Sequence, residues 1–161
     1  MPTPRKNITS ERQADRVFPH GDIMNGHEGS PEDPPQVSVQ DQITAFEESG
    51  FGRLLGMHIT EARDGYARVE MDCTEKCNPH GVAHGGAVFS LADHAFGIAS
   101  NCGQDHHTAV SVHIQYLAPA RGRLVAVAER VASNGTCGTY RVVVYEGERT
   151  IAVFDGVAFR V

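Results

Sequence analysis

The chain has 161 residues, of which 40% are hydrophobic and 21% are charged. That is enough for one domain with a buried core and too little for two well-packed ones. Its formal net charge of -6 argues against a nucleic-acid or anionic-membrane surface, since both require a basic face. No apolar run approaches the ~20 residues of a membrane span, and the first residues lack the basic-then-apolar order of a secretory signal. We therefore expect a soluble, cytoplasmic protein.

The first 40 residues differ from the rest in composition. They contain six of the eight prolines, many charges, and only isolated apolar residues such as Val17 and Ile23. A segment of this kind cannot bury enough apolar surface to fold by itself. We therefore predict a disordered or extended tail over residues 1–40 and one folded domain over residues 41–161.

The domain is predicted to open with a helix and a β-hairpin. One short amphipathic helix, leading through Gly50 and Gly52 into a strand, is predicted from the apolar residues Ile43, Phe46, Phe51, Leu54 and Leu55. A strand over residues 55–62 follows, and Asp64-Gly65 is a typical turn sequence. Residues 66–72 then alternate apolar with charged side chains, as in a strand that buries one face.

A central helix is predicted over residues 84–101, because this segment is apolar on almost every side and such a helix is buried. Strand-like segments follow, with turn signals at Asn134-Gly135 and Glu146-Gly147. We therefore predict an α+β domain in which an antiparallel sheet of five to six strands wraps around one long central helix. The later strands are expected over residues 108–117, 123–132, 138–146 and 149–161.

A polar motif spans the loop before the central helix and the first half of that helix. It reads Asn78-Pro-His-Gly-Val-Ala-His84-Gly85-Gly86 and continues to Leu-Ala-Asp93. Together with Tyr116-Leu-Ala-Pro119, it resembles the signature of hotdog-fold acyl-CoA thioesterases of the phenylacetic-acid-pathway branch, in the 4-hydroxybenzoyl-CoA thioesterase superfamily. The resemblance covers roughly residues 41–161. It implies the hotdog fold, hydrolysis of acyl-CoA, no cofactor besides the coenzyme A of the substrate, and paired subunits that often form homotetramers.

The start of the helix is a candidate oxyanion site. Glycines allow close backbone approach, and the N–H groups of a first helical turn point outward with a partial positive charge. Such a terminus would polarise a thioester carbonyl and stabilise the oxyanion that develops on attack. We expect the Gly86 N–H, with Gly85 adjacent, to be the donor. His84 either donates a hydrogen bond to the carbonyl region or caps and orients the loop.

Asp93 lies among apolar residues of the same helix, where an unpaired carboxylate is costly to bury. A structural interpretation pairs it with His94 or with an arginine across an interface. The motif favours a catalytic carboxylate, which either attacks the thioester carbonyl or acts as a general base on water.

The spacing of these groups predicts a site shared by two chains. Asp93 follows Gly85 by eight residues, which is ~12 Å along a helix. One chain therefore cannot place both groups at a single carbonyl carbon. We expect a homodimer with antiparallel central helices to form the site.

The resemblance implies roles for two further polar residues. An asparagine at the position of Asn78 helps to place the attacking water or the carbonyl, and a hydroxyl residue at the position of Ser111 supports the nucleophile side. From the residues alone, Asn78 could instead form an Asx turn before Pro79, and Ser111 could be an ordinary exposed strand residue.

Coenzyme A would require cations for its phosphates. Arg121 and Arg123, beside the turn at Pro119, and Asn134-Gly135 in the next turn are the candidate binding residues, although solvated loop charges would give the same pattern. The acyl group is expected to lie against the central helix and the sheet. Its candidate wall residues, each of which could equally be plain core, are Phe89, Phe96 and Tyr116.

Three alternatives stay open. Zinc could be reached by Cys73, Cys77, His80 and His84, but these two ligand pairs stand closer together than in usual zinc sites, and we expect no metal. A hydratase or dehydratase on the same fold would require a histidine with an acidic partner on the helix. The third alternative is a non-catalytic dimer that binds acyl-CoA.

Overall fold

The computed structural model describes residues 38–161, so the tail predicted for residues 1–40 lies almost wholly outside them and stays a prediction. Two helices open this region, α1 (Val39–Glu47) and α2 (Gly50–Leu55). The prediction of one continuous helix is wrong, because Ser49 between them has a non-helical backbone with ψ of 134°. Its side chain accepts a hydrogen bond from the first turn of α2, so Ser49 is the N-cap of a second helix.

Six strands and one long helix follow. The strands are β1 (Met57–Arg63), β2 (Tyr66–Asp72), β3 (His107–Tyr116), β4 (Arg123–Ser133), β5 (Cys137–Glu146) and β6 (Arg149–Arg160), and helix α3 (Gly85–Asn101) lies between β2 and β3 in sequence. All strand pairs are antiparallel, in the order β1-β2-β4-β5-β6-β3. Gly135 and Gly147 adopt positive φ, 81° and 60°, in the two predicted turns. The predicted antiparallel sheet with one central helix is confirmed.

The core lies between α3 and one face of the sheet. Strand β2 alternates buried and partly exposed residues as predicted. Phe96 of α3 contacts the rings of Tyr140 and Phe154 at centroid distances of 5.3 and 5.7 Å. A Cβ at Gly156 would lie 3.0 Å from the Phe96 ring, so this glycine lets α3 approach β6 closely. None of the helices in the described part of the chain combines the length and hydropathy needed to cross a membrane.

The two edges of the sheet differ in how they meet solvent. Strand β1 contacts α1 and α2, whereas β3 is exposed along most of its length. A long edge strand with exposed apolar side chains is a template for pairing with another chain. The exposed apolar side chains on β3 and just after it are Val110 (58%), Val112 (37%), Tyr116 (53%) and Leu117 (60%).

Replacing Phe154 by alanine is expected to destabilise the domain by about 3–5 kcal/mol, because the ring is fully buried and contacts two other phenylalanine rings. The measurement is urea unfolding at a fixed protein concentration. Phe159→Ala on the same strand is the control, since that side chain is 42% exposed, and we expect it to cost less than about 1 kcal/mol. Equal losses in the two variants would contradict this placement of the core.

Candidate active site

His84 is the N-cap of α3, and its imidazole occupies the first turn. Nδ1 accepts a hydrogen bond from the Gly86 N–H at 2.9 Å, so a neutral ring carries its proton on Nε2. The Ala87 and Val88 N–H groups both donate to the His84 carbonyl oxygen. Among the first-turn donors, only the Gly85 N–H has no acceptor in the described part of the chain. The expected oxyanion donor Gly86 is thus engaged by the cap, and the adjacent Gly85 N–H is the free one.

Tyr116 at the end of β3 fixes the first turn of α3 from outside the helix. Its hydroxyl donates to the Gly85 carbonyl oxygen at 3.1 Å, and a Cβ at Gly85 would lie 3.5 Å from the ring. Within the helix, the Ser90 hydroxyl donates to the Gly86 carbonyl oxygen at 2.8 Å. Tyr116 was expected as an acyl-wall residue or as plain core. This hydrogen bond was not predicted, because a contact between residues 31 positions apart leaves no local pattern in the sequence.

Asp93 lies on the third turn of α3, and its side chain is half-buried. Burial raises the pKa of this carboxyl above its usual value, and no hydrogen bond or charge within residues 38–161 offsets that cost. His94 does not pair with it. The His94 ring packs edge-on against Phe46 at a centroid distance of 6.0 Å, and burial lowers its pKa. Asp93 is therefore a carboxylate without a partner among residues 38–161.

The length of α3 separates the two candidate groups. Gly85 and Asp93 belong to one unbroken helix, in which eight residues rise ~12 Å along the axis. A reacting carbonyl carbon must lie ~3 Å from both a hydrogen-bond donor and an attacking or base group. One chain therefore holds both groups without bringing them to a common point.

Asn78 has the local role that its residue type suggests. Its Oδ1 accepts hydrogen bonds from the N–H groups of His80 and Val82, at 2.9 and 3.4 Å, which is the Asx-turn interpretation. The loop is closed onto the start of α3 because the His84 N–H donates to the Lys76 carbonyl oxygen at 2.8 Å. The side-chain Oδ1 of Asn78 therefore stabilises the loop, and its side-chain Nδ2 group has no acceptor in residues 38–161.

Ser111 lies away from Asp93 within one chain. It stands opposite Val157 on edge strand β3, on the alternate face of the sheet from the buried residues that pack against α3. It is exposed and lines a surface groove with Arg141 and Asp155, which form an ion pair at 2.8 Å. The structure therefore does not bring Ser111 together with the carboxylate of its own chain.

The four candidate coenzyme A residues fall into two distant groups. Arg121 and Arg123 adjoin the start of β4, and Asn134-Gly135 follow its end. This strand has 11 residues, and a strand of that length spans ~36 Å. Arg123 also forms an ion pair with Glu70 at 3.3 Å. Strand β4 therefore holds the two groups apart within one chain, and their binding of coenzyme A stays a prediction.

Two of the three predicted acyl-wall residues belong to the interior. Phe96 is fully buried in the core. Phe89 is partly buried and packs against Phe154 at a centroid distance of 5.8 Å. Their aromatic rings therefore stabilise the junction between α3 and β6, and the alternative assignment to plain core holds for them.

The four side chains of the zinc alternative do not assemble. Cys73 is fully buried, and burial raises its pKa to about 11, which opposes the thiolate that zinc requires. His84 commits Nδ1 to the helix cap. Across residues 38–161, no three His, Cys, Asp or Glu side chains come together in a way that could hold a metal ion.

Comparison with known proteins places the chain in a family. A family model described as the thioesterase superfamily matches residues 80–153. The chain is 32% identical over 126 residues to the acyl-coenzyme A thioesterase PaaI of Escherichia coli, covering 76% of this chain and 90% of that protein. It is 38% identical over 131 residues to a Deinococcus radiodurans protein named as a candidate esterase, covering 78% and 89%.

Solved structures agree with these sequence matches. The Escherichia coli PaaI protein from the phenylacetic acid degradation operon superposes with a TM-score of 0.72 at 29% identity, covering 76% of this chain and 91% of that one. A mutant of the phenylacetic acid degradation protein PaaI of Thermus thermophilus gives 0.67 at 33% identity, covering 70% and 100%. The predicted family is thereby confirmed, and the chain belongs to the thioesterase superfamily as a hotdog-fold thioesterase of the PaaI-like branch.

Proposed function

We propose that this thioesterase hydrolyses acyl-coenzyme A with aryl or medium- to long-chain acyl groups, in a site formed by two copies of the chain. One observation carries the proposal. The same helix holds two groups that have no partner within residues 38–161, the Gly85 N–H at its first turn and the half-buried carboxylate of Asp93 on its third turn. These are the two groups that acyl transfer requires, a donor for the developing oxyanion and a base or nucleophile.

The Gly85 N–H is assigned as the oxyanion donor. It lies at the positive end of α3, where the aligned peptide dipoles favour negative charge. The Gly85 carbonyl oxygen accepts a hydrogen bond from the Tyr116 hydroxyl, and the Gly86 N–H donates to Nδ1 of His84. These contacts orient the first turn before the substrate arrives, which is what makes such a donor effective in the transition state.

Asp93 is assigned as the general base. Its raised pKa makes the ionised carboxylate a stronger proton acceptor. It takes a proton from water as the water oxygen bonds to the thioester carbonyl carbon. When the tetrahedral intermediate collapses, the carbon–sulfur bond breaks and the proton passes to the leaving sulfur, which gives a carboxylic acid and free coenzyme A. A direct attack by Asp93 would instead pass through a mixed anhydride.

The second copy is proposed to pair along edge strand β3. A two-fold axis at this edge would continue the antiparallel sheet and cover the exposed apolar side chains of β3. Because α3 packs on one face of that sheet, the two α3 helices would lie side by side and antiparallel. Asp93 of each copy then approaches Gly85 of the other. Further pairing of dimers into a homotetramer stays a prediction.

An antiparallel pair also gives the separated coenzyme A residues a common location. Arg121 lies near the start of α3, since the Ala83 N–H donates to the Ala120 carbonyl oxygen at 2.7 Å. Gly135 lines a groove with Ser100 near the end of α3. In an antiparallel dimer the start of one helix lies beside the end of the other. Asn134-Gly135 of one copy and Arg121 of its partner would therefore serve the same substrate.

Asp93→Asn is expected to lower the rate of thiol release from acyl-CoA at least ~100-fold, because it removes the proton acceptor while keeping the side-chain size. The measurement uses a disulfide-exchange dye with phenylacetyl-, benzoyl-, hexanoyl- and palmitoyl-CoA. Asp155→Asn, on the outer face of the sheet, is the matched control and should keep wild-type turnover. Thiol release that survives in Asp93→Asn would discard this mechanism, and no release by the wild type from any of the four would discard the proposed substrate class.

Gly85→Pro is expected to lower kcat about 100- to 1,000-fold, because proline lacks the N–H that serves the oxyanion. Proline is well tolerated at the first position of a helix, and the His84 backbone (φ -62°, ψ 134°) suits a residue before proline. Gly85→Ala keeps the N–H and is the control, since its Cβ would meet Tyr116 at an ordinary 3.5 Å. Equal activity of the proline and alanine variants would remove Gly85 from the oxyanion site.

A further inference from the structure

Two grooves flank the first turn of α3. The first, here called the α2 groove, has a volume of about 370 Å³ and lies between α2 and α3. Phe51 and Leu55 of α2 form one wall, and Gly86, Ala87 and Ser90 of α3 form the other. The Ser90 hydroxyl is turned back onto the Gly86 carbonyl oxygen, so this wall presents little polarity to the groove. The remaining lining residues are Lys76, Cys77 and His84.

The second groove, here called the β3 groove, lies on the other side of the same turn. Its volume is about 340 Å³, and its lining includes Gly85, Val88 and residues 116–120. Backbone groups of the loop after β3 are part of this lining. Arg121 follows directly in sequence, and Arg149 donates to the Pro119 carbonyl oxygen at 2.7 Å. Arg149 also forms an ion pair with Glu146, and neither arginine is part of the groove lining.

We propose that the α2 groove binds the acyl group of the substrate, an apolar aryl ring or alkyl chain, and that the β3 groove binds its coenzyme A arm. This inference rests on the proposed thioester hydrolysis. A thioester carbonyl at the Gly85 N–H has one arm on each side, and the two grooves meet there. The polar arm is assigned to the β3 groove because Arg121 follows directly after its lining in sequence. The lysine that lines the α2 groove, Lys76, is held by the Asp72 carbonyl oxygen at 2.7 Å.

Phe51 is the residue that gives the α2 groove its selectivity. Its side chain is 56% exposed although it is large and apolar, and an acyl group in the groove would cover part of that surface. Leu54 on the same short helix is 77% exposed but does not line the groove. The two residues therefore form a matched pair for mutation, because alanine at Phe51 removes apolar surface inside the groove and alanine at Leu54 removes it outside the groove.

The first test measures kcat/KM for straight-chain substrates from acetyl- to octanoyl-CoA in wild type, Phe51→Ala and Leu54→Ala. In wild type kcat/KM should rise with chain length. Phe51→Ala should flatten that rise and lower the octanoyl-to-acetyl ratio about tenfold, whereas Leu54→Ala should keep the wild-type ratio. The ratio within each variant is independent of how much of the protein is active. An unchanged ratio in Phe51→Ala would overturn the inference and leave the hydrolase proposal standing.

A second test requires no turnover. Cys77 is an exposed thiol at the rim of the α2 groove, and Cys137, on β5 and outside both grooves, is an internal control. Octanoate should slow the alkylation of Cys77 by iodoacetamide in wild type, should not protect Cys137, and should lose its effect in Phe51→Ala. Protection without thioesterase activity would support the groove while the proposed function fails. Absence of protection in a protein that turns over octanoyl-CoA would place the acyl group elsewhere.

Discussion

The unbroken helix α3 fixes the distance between the two groups of the proposed site, Gly85 and Asp93. A helix rises ~1.5 Å per residue, and α3 continues without a break from Gly85 through Asp93. The donor and the base therefore remain two turns apart however the surrounding loops move. The sheet holds the helix in that state through contacts such as Phe96 with Phe154. Under the proposed mechanism a complete site requires a second helix, and we propose that the second copy pairs along the exposed edge strand β3.

The sheet does not cover α3 completely, and the exposed positions of the helix include residues of the proposed site. The partly or fully exposed positions Gly86, Ser90, Asp93 and Gly97 repeat at intervals of four, three and four residues, which is one face of a helix. Three of these side chains are small or absent. Asp93 therefore stands on a strip between buried faces, where burial raises its pKa although its side chain stays partly exposed.

Much of the fold could be predicted because its elements follow from residue patterns over a few neighbouring positions. Alternating residues in β2, glycines in the two hairpin turns and the apolar run of α3 each depend on neighbours within a few positions. The break at Ser49 was missed, although Phe46 and Phe51 stand five residues apart, an interval that does not keep to one helix face. The capping geometry of Ser49 shows the two helices. Leu54 fits the same helical pattern as Leu55, yet one is exposed and the other packs against the core.

The candidate site was predictable as a segment and less so as a set of atoms. The motif located Gly85, Gly86 and Asp93, but a side-chain rotamer decides that His84 engages the Gly86 N–H and leaves that of Gly85 free. The hydrogen bond from Tyr116 joins elements far apart in sequence. The separation of the coenzyme A candidates likewise follows from the length of β4 and from nothing in the turns themselves.

The central claim is that each site takes its donor from one copy and its carboxylate from the other. Mixed dimers of Asp93→Asn and Gly85→Pro, isolated through two different affinity tags, test it most directly. If each site is shared between the two copies, one site of the mixed dimer contains both substitutions and the other contains neither. The mixed dimer should then regain about half of the wild-type rate, while the homodimer of each variant stays inactive. A mixed dimer as inactive as its parents would show that donor and carboxylate act within one chain, and would contradict the account.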